Sequence, residues 1–374
     1  MALTAPGVGG RTLAVSTRLK SWWRRNRPYS TTQWVGALAN LALGALVLLL
    51  LFYIAKAALD FLIVKSAPFA ADVATCRVAA GACWPFVADK ANQFLFGRYP
   101  EAELWRAVFA MLAAPVSAAA AFVLARGRAV IGPGAAFMAG VAAGFLALAG
   151  GLPGLPEVPM DVWGGLTLSL LVAYTGMAAA LPLGILLALG RVSSWPVPRV
   201  LSIGFIEFWR GVPLVTVLFL ASVMLPLFLP EGVTINKLAR ALIVIAVFAS
   251  AYMAEVVRGG LLSIPSTQYE AAEALGLSYG QTLRLAVLPQ ALRNALPGIV
   301  GTFIGLLKDT TLVLIIGLFD FLGMIQLAAA DPAWAAPSTA MTGYVFAALV
   351  FWCLCFGLSR LGALIEARTK RGRV

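Results

Sequence analysis

Long apolar runs, separated by short polar and mostly basic stretches, set the pattern of this chain. The runs fall near 34–55, 105–124, 129–150, 163–189, 212–229, 241–262, from 297 past 308, and 341–358. Each approaches or exceeds the ~20 residues a helix needs to cross hydrocarbon. The pattern predicts an all-α polytopic membrane protein with about eight transmembrane helices. Residues 57–104 are too polar for lipid, carrying Asp60, Lys65, Asp72, Asp89, Lys90, Arg98 and Glu101, and read as an outside loop with short surface helices. A Gly- and Pro-dense stretch at 150–159 marks a boundary. Three helices within 34–160 precede it, and a five-helix core within 161–362 follows. Basic tails at 1–33 and 363–374 complete the plan.

Composition narrows the class. The chain has 374 residues, 61% of them apolar and only 12% charged, with a mean hydropathy of +0.90. No soluble domain buries that much apolar surface. Histidine is absent and cysteine numbers four, so no ordinary zinc site can be assembled and no metal is expected. The net charge of +12 raises nucleic acid as a partner, but the distribution of the basic residues answers otherwise. Of 28 Lys and Arg residues, 19 fall in the segments placed in the cytoplasm when both termini lie inside. That is the positive-inside bias of a membrane protein, and no nucleic-acid role is expected. The N-terminal tail, with Trp22 and Trp23 among six basic residues, also suits a surface helix on anionic membrane lipid.

One polar interruption stands out, Ser266 to Pro289. Thr267 followed by Glu270 predicts a capping box, and a short helix through Ala271, Ala272 and Leu275 is expected to stop at a left-handed Gly276. Ser278 with Gln281 predicts a second capping box, opening a helix that Pro289 ends. Two short capped helices hold a fixed shape without a core of their own, as a docking knob must. The topology places them in the cytoplasm.

These residues carry a family resemblance. Glu270-Ala271-Ala272, Gly276 and Leu288-Pro289 resemble the EAA loop of ABC importer permease subunits, here within 263–297. Glu255-Val-Val-Arg258-Gly259-Gly260 and Ser263-Ile-Pro265 before the loop, and Gln290-Ala291-Leu292-Arg293 after it, are similar to the polar amino-acid branch. So are Ile206-Glu207-Phe208-Trp209-Arg210-Gly211 upstream and Lys308-Asp309-Thr310-Thr311-Leu312 downstream. Ala286 departs from the usual Ile. The resemblance covers roughly 160–366, and the three-helix extension with its cysteine-bearing outside loop is similar to the longer permeases of general L-amino-acid transporters.

The resemblance implies a five-helix core of the type I importer class, carrying L-amino acids inward by alternating access. It implies that Glu270, Ala271, Ala272, Leu275, Gly276, Leu277, Leu288 and Pro289 couple to an ATPase dimer. A second related permease, or another copy of this chain, and a periplasmic amino-acid-binding protein would complete the assembly in a bacterial inner membrane. No GxxxxGK[ST] phosphate loop is present, so no cofactor is expected in this chain; ATP and Mg would be bound by the partner ATPase. The chain is therefore not expected to be an enzyme.

Other residues admit two readings. Lys308, Asp309, Thr310 and Thr311 interrupt an apolar segment, either lining a translocation path or neutralising one another structurally. Glu255 with Arg258 and Glu207 with Arg210, each at i,i+3, read as structural pairs. Cys76 and Cys83 suit a disulfide in an oxidising periplasm, or two reduced apolar side chains. The rival function is an ion-coupled secondary transporter of small polar solutes, which predicts duplicated halves and several intramembrane carboxylates; neither is evident.

Overall fold

The computed structural model describes residues 30–124, 131–151, 153–230, 232 and 234–371. The basic residues of the N-terminal tail up to 29, and the Arg126-Gly127-Arg128 connection, lie outside the described residues. Among the described residues helices dominate, and the strand-like pairing amounts to isolated bridges. Among the described residues seven helices are long and apolar enough to cross a membrane, or up to eight if a sharply bent pair counts as one span.

The chain divides into two compact units, Met1–Ser66 and Ala67–Val374. In the first, helix α1 (Thr31–Leu59) runs into a π-turn at Asp60–Val64. It is longer than the expected 34–55, because no Pro or Gly breaks it there and Lys56 can extend its charged tip from an apolar stem.

The second unit begins with α2 (Val73–Val78), α3 (Trp84–Asp89) and α4 (Ala91–Phe96). Asp72 caps α2 by accepting from the Thr75 amide. Cys76 and Cys83 are joined in a disulfide with Cα atoms 5.2 Å apart. These helices do more than lie on a surface. Phe86 and Phe94 are fully buried, and their rings meet Trp334 and Phe346 near the C-terminal span. Polar bonds reinforce the contact: Cys83 N–H donates to Thr342 Oγ1 at 2.9 Å, and the Trp334 indole donates to Asp89 at 3.1 Å. Lys90 pairs with Asp331 at 3.2 Å.

Helices α5 (Leu104–Leu124) and α6 (Ile131–Ala149) form a tight pair. Gly140 and Gly144 let the α6 backbone approach Ala110 and Ala114 closely, as small residues do between membrane helices. Arg106 is fully buried and donates to the Ala147, Leu148 and Pro156 carbonyls. It thereby satisfies acceptors at the end of α6 that the helix itself leaves open.

The remaining core comprises α7 (Gly165–Val192), α8 (Pro196–Gly211), α9 (Leu214–Phe219), α10 (Leu225–Phe228) and α11 (Lys237–Leu262). It continues through α12 (Ser266–Ala274), α13 (Tyr279–Gln281), α14 (Leu288–Asp309), α15 (Phe321–Ala329) and α16 (Thr339–Arg371). Helices α7 and α11 pack along their length, with Gly184 against Met253. The run expected at 212–229 begins at Leu214 and is joined, through a sharp bend, to a separate preceding helix that carries Glu207 and Arg210. Pro196–Gly211 and Leu214–Phe228 meet at 97°, because Val212, preceding Pro213, is held extended. A π-turn at Leu220–Met224 follows, and Arg240 of α11 donates to the freed carbonyls of Ala221 and Ser222.

Residues 95–98 are stitched to the start of α7. Leu95 O accepts from Thr167 Oγ1, and Arg98 N–H donates to Val162 O. Gly97, at φ +69°, lies so close to Gly164 that a side chain would strike its backbone.

Two outcomes test this outer segment. The Cys76→Ala/Cys83→Ala double variant is expected to lose about 2–3 kcal/mol of local stability. The loss would be read as faster amide exchange across 67–83 with α11 unchanged. The Ala333 amide and the Lys90 ammonium hold the Asp331 carboxyl below its ordinary 3.8. Its stabilising contribution is thus present above 3.8 and lost as pH falls through the lower folded value. Exchange at 331–335 is expected to accelerate in that acid window and not between pH 5 and 8.

Candidate functional site

The polar interruption folds as a helical hairpin hung between α11 and α14. Its first helix does not use the predicted cap. Pro265, with φ −62° and ψ 148°, stands at the N-cap without a side-chain bond, so the helix opens at Ser266. Thr267 and Glu270 lie inside the helix, and Glu270 does not anchor its start. Gly276 does stop it, at φ +74°. The Gly276 amide donates to Glu273 O and the Leu277 amide to Ala272 O, the paired closure of a Schellman motif. Ser278 and Gln281 form the predicted capping box.

Pro289 does not end the second helix. A π-turn at Thr282–Val287 widens the backbone just ahead of it, and α14 continues from Leu288 to Asp309. Proline needs no amide partner, and a widened turn relieves the clash of its ring with the preceding turn. The span expected to start near Pro297 is therefore part of one continuous helical path from Tyr279 to Ile316.

Two bonds hold the arms of the hairpin together. Gln290 donates to Gln268 at 2.9 Å, and Asn294 donates to Ser263 Oγ at 2.8 Å. Ala272 is buried and does not present the exposed apolar surface expected of it. Glu270, Ala271, Glu273 and Leu275 face outward, Leu275 being 80% exposed. Tyr279 and Leu285 add further exposed apolar surface. Leu277, Leu288 and Pro289 are half-buried.

Immediately before the hairpin, one carboxylate gathers three helices. Glu255 of α11 meets Arg191 of α7 at 2.9 Å, Arg258 of its own helix at 2.9 Å and Arg210 of α8 at 3.9 Å. Glu207 was expected to pair with Arg210, but bonds Arg191 at 2.9 Å instead. The Arg210 guanidinium turns toward Glu255 and lies over the Tyr252 ring. An i,i+3 spacing permits a pair, and a nearer, half-buried carboxylate on another helix outcompetes it. Arg191 is the residue that sequence reasoning missed, because both of its partners, Glu207 and Glu255, lie on other helices. A cavity of about 530 Å³ opens beside this cluster, lined by Glu255, Gly259, Ser263, Arg293, Asn294 and Glu366.

Lys308 and Asp309 do not pair within 4 Å. Lys308 is exposed, Asp309 half-buried, and Thr310 is buried with its hydroxyl on Leu307 O. Thr311 donates to Lys308 O. Here α14 tightens into a 3-10 segment, Thr310–Ile316, closed by a left-handed Gly317. Among the described residues no group of His, Cys, Asp and Glu is placed to hold a metal.

The family described as "Binding-protein-dependent transport system inner membrane component" matches residues 180–371. The inner membrane amino-acid ABC transporter permease protein YhdY of Escherichia coli (strain K12) is 51% identical over 79% of this chain and 80% of its own length. The glutamate/glutamine/aspartate/asparagine transport system permease protein BztC of Rhodobacter capsulatus is 42% identical over 78% of this chain and 80% of its own. Among solved structures, a chain of an amino acid ABC transporter is 27% identical, covering 55% of this chain and 92% of that one, with a TM-score of 0.49.

The Glu255 cluster yields a direct test. Glu255→Gln leaves Arg191, Arg210 and Arg258 facing one another and is expected to cost about 2–3 kcal/mol. A melt of the detergent-solubilised protein would read the loss. Adding Arg258→Gln should recover part of it, so strictly additive losses would show the two groups to be uncoupled.

Proposed function

Because the chain belongs to the family of binding-protein-dependent transport system inner-membrane components, we propose that its cytoplasmic hairpin receives the stroke of a partner ATPase. The chain is a multi-pass inner-membrane permease subunit, a transport component and not an enzyme. Membership of the family brings with it an ATPase and a solute-binding protein as partners. Its cargo is the class named for its relatives, L-amino acids, with the amide and acidic members foremost.

One observation supports the hairpin as the coupling element. A shape-fixed pair of short helices, closed by the Gly276 motif, hangs directly from α11, whose last turns carry Glu255 and Arg258. Displacement of the hairpin is passed to α7 and α8 through Arg191 and Arg210. Alternating access then follows as these helices reorient. Glu270, Ala271, Glu273 and Leu275 form the contact face, while Ala272, Leu277, Leu288 and Pro289 hold the shape behind it. ATP and Mg belong to an ATPase dimer, and a second related permease or another copy of this chain completes the pore. Lys308, Asp309, Thr310 and Thr311 support the path near its outer end.

The test is ATP-driven uptake of radiolabelled L-glutamine and L-glutamate by the reconstituted assembly, with Gly276→Asp beside wild type. A Cβ at Gly276 meets nothing within 4 Å, so the substitution acts through the left-handed backbone and the added carboxylate and not through a clash at Cβ. Uptake and co-purification of the ATPase are expected to fall about five- to thirtyfold for a strain of roughly 1–2 kcal/mol, with the amount of protein in the membrane unchanged. Equal uptake by the variant, or uptake by the chain alone without ATP, would overturn the coupling reading.

A further inference from the structure

The outer face holds a second cavity, of about 190 Å³, far from the hairpin in sequence. It lies between residue 98, the turn before α7, the start of α11 and the loop after Gly317. Its polar lining is Arg98, Asp161, Asn236 and Lys237; Trp163 and Phe319 supply apolar walls. Four stretches remote in sequence converge on it, and Arg98 comes from outside the family-matched residues 180–371.

The charges around this space are held apart. Among the described residues Arg98, Asp161 and Lys237 enter no ion pair within 4 Å, with one another or with anything else. Arg98 is exposed; its amide donates to Val162 O, and its guanidinium lies 5.8 Å from the centre of the Phe319 ring. Lys237 extends its ammonium over Gly317, within 3.5 Å of where a Cβ would sit. Asn236 spends its side-chain oxygen on the Leu238 amide and so caps α11. Two cations and one carboxylate thus rim a small opening without neutralising each other. A ligand carrying both signs of charge fits that arrangement better than a simple anion, which would leave Asp161 facing it. The volume is below the ~300–1,000 Å³ that encloses drug-sized molecules, and suits one small zwitterion.

We propose that this cavity is an outer entry subsite for a free α-amino acid, its carboxylate held by Arg98 and Lys237 and its ammonium by Asp161. The inference rests on the reading of the chain as an amino-acid permease and adds a role for the N-terminal extension. That segment supplies a charged side chain to a pocket whose other walls belong to the core. An amino acid released at the outer face is retained there, close to the start of α11, before the inward step.

Equilibrium dialysis of radiolabelled L-glutamine against the purified permease–ATPase assembly, without nucleotide or binding protein, tests it. Glutarate serves as a probe with two carboxylates and no ammonium. Arg98→Gln and Lys237→Gln are each expected to weaken both ligands about tenfold or more, the scale of one charge-assisted bond. Asp161→Asn is expected to weaken L-glutamine similarly while leaving glutarate binding equal or tighter. Arg98→Lys keeps the charge and should retain most of the affinity, which separates a lost charge from misfolding. Wild-type affinities in all the variants would overturn the proposal. So would variants that bind L-glutamine as wild type does but, in a parallel pull-down, lose the docking of the binding protein, which would make the cavity a receptor for that protein's acidic side chain. Wild-type ATP-driven uptake judges the permease reading independently, so uptake without L-glutamine binding would sink the subsite alone.

Discussion

Hydrocarbon offers no hydrogen bonds to a broken helix, so every interruption within this protein has to find its own donors and acceptors. The long apolar runs hide this, because a continuous helix satisfies itself. The interruptions expose it. Arg240 reaches the carbonyls released by the π-turn at Leu220–Met224. Arg106 covers the open end of α6. Ser169 accepts from the Phe321 amide and Asp320 from the Gly323 amide, where α15 begins beside α7. Buried polar side chains serve backbone that has left the regular ladder, and they mark the places where the fold departs from a bundle of straight spans.

The same economy of charge governs the inner end. Glu255 is surrounded by more positive than negative groups, and its three arginines come from three different helices. A cluster of this kind contributes little as a set of independent pairs, since desolvation offsets much of the attraction. Its effect lies in geometry. It ties the ends of α7, α8 and α11 together next to the hairpin.

Much of this could be read from the residues. The runs gave the helices, and the Gly276 stop and the Ser278–Gln281 cap follow from local chemistry alone. What could not be read depended on partners distant in sequence or on backbone that bends without a breaker. Pro289 looked like an end because proline usually is one, yet the π-turn before it removes the conflict. Glu207 and Arg210 looked paired because they are a turn apart, yet Arg191, arriving from α7, is the better partner. The bend at Val212–Pro213 was present in the sequence as a proline, but 97° is a tertiary quantity. Arg98 and Lys237 carried no signal at all, since their meeting across a cavity depends on how the outer segment settles on the core.

The π-turn at Thr282–Val287 also acts as a gear setting. One residue inserted into an α-helical path advances everything beyond it by about 100°. The hairpin lies on one side of that turn and the whole of α14 on the other. The face that α14 offers to its surroundings, with Lys308 outward and Thr310 inward, is therefore phased against the hairpin by a single residue. A lineage that gained or lost one position between Thr282 and Val287 would keep both elements intact and still turn the membrane helix to a different face. The length of that short stretch is thus constrained more tightly than its composition.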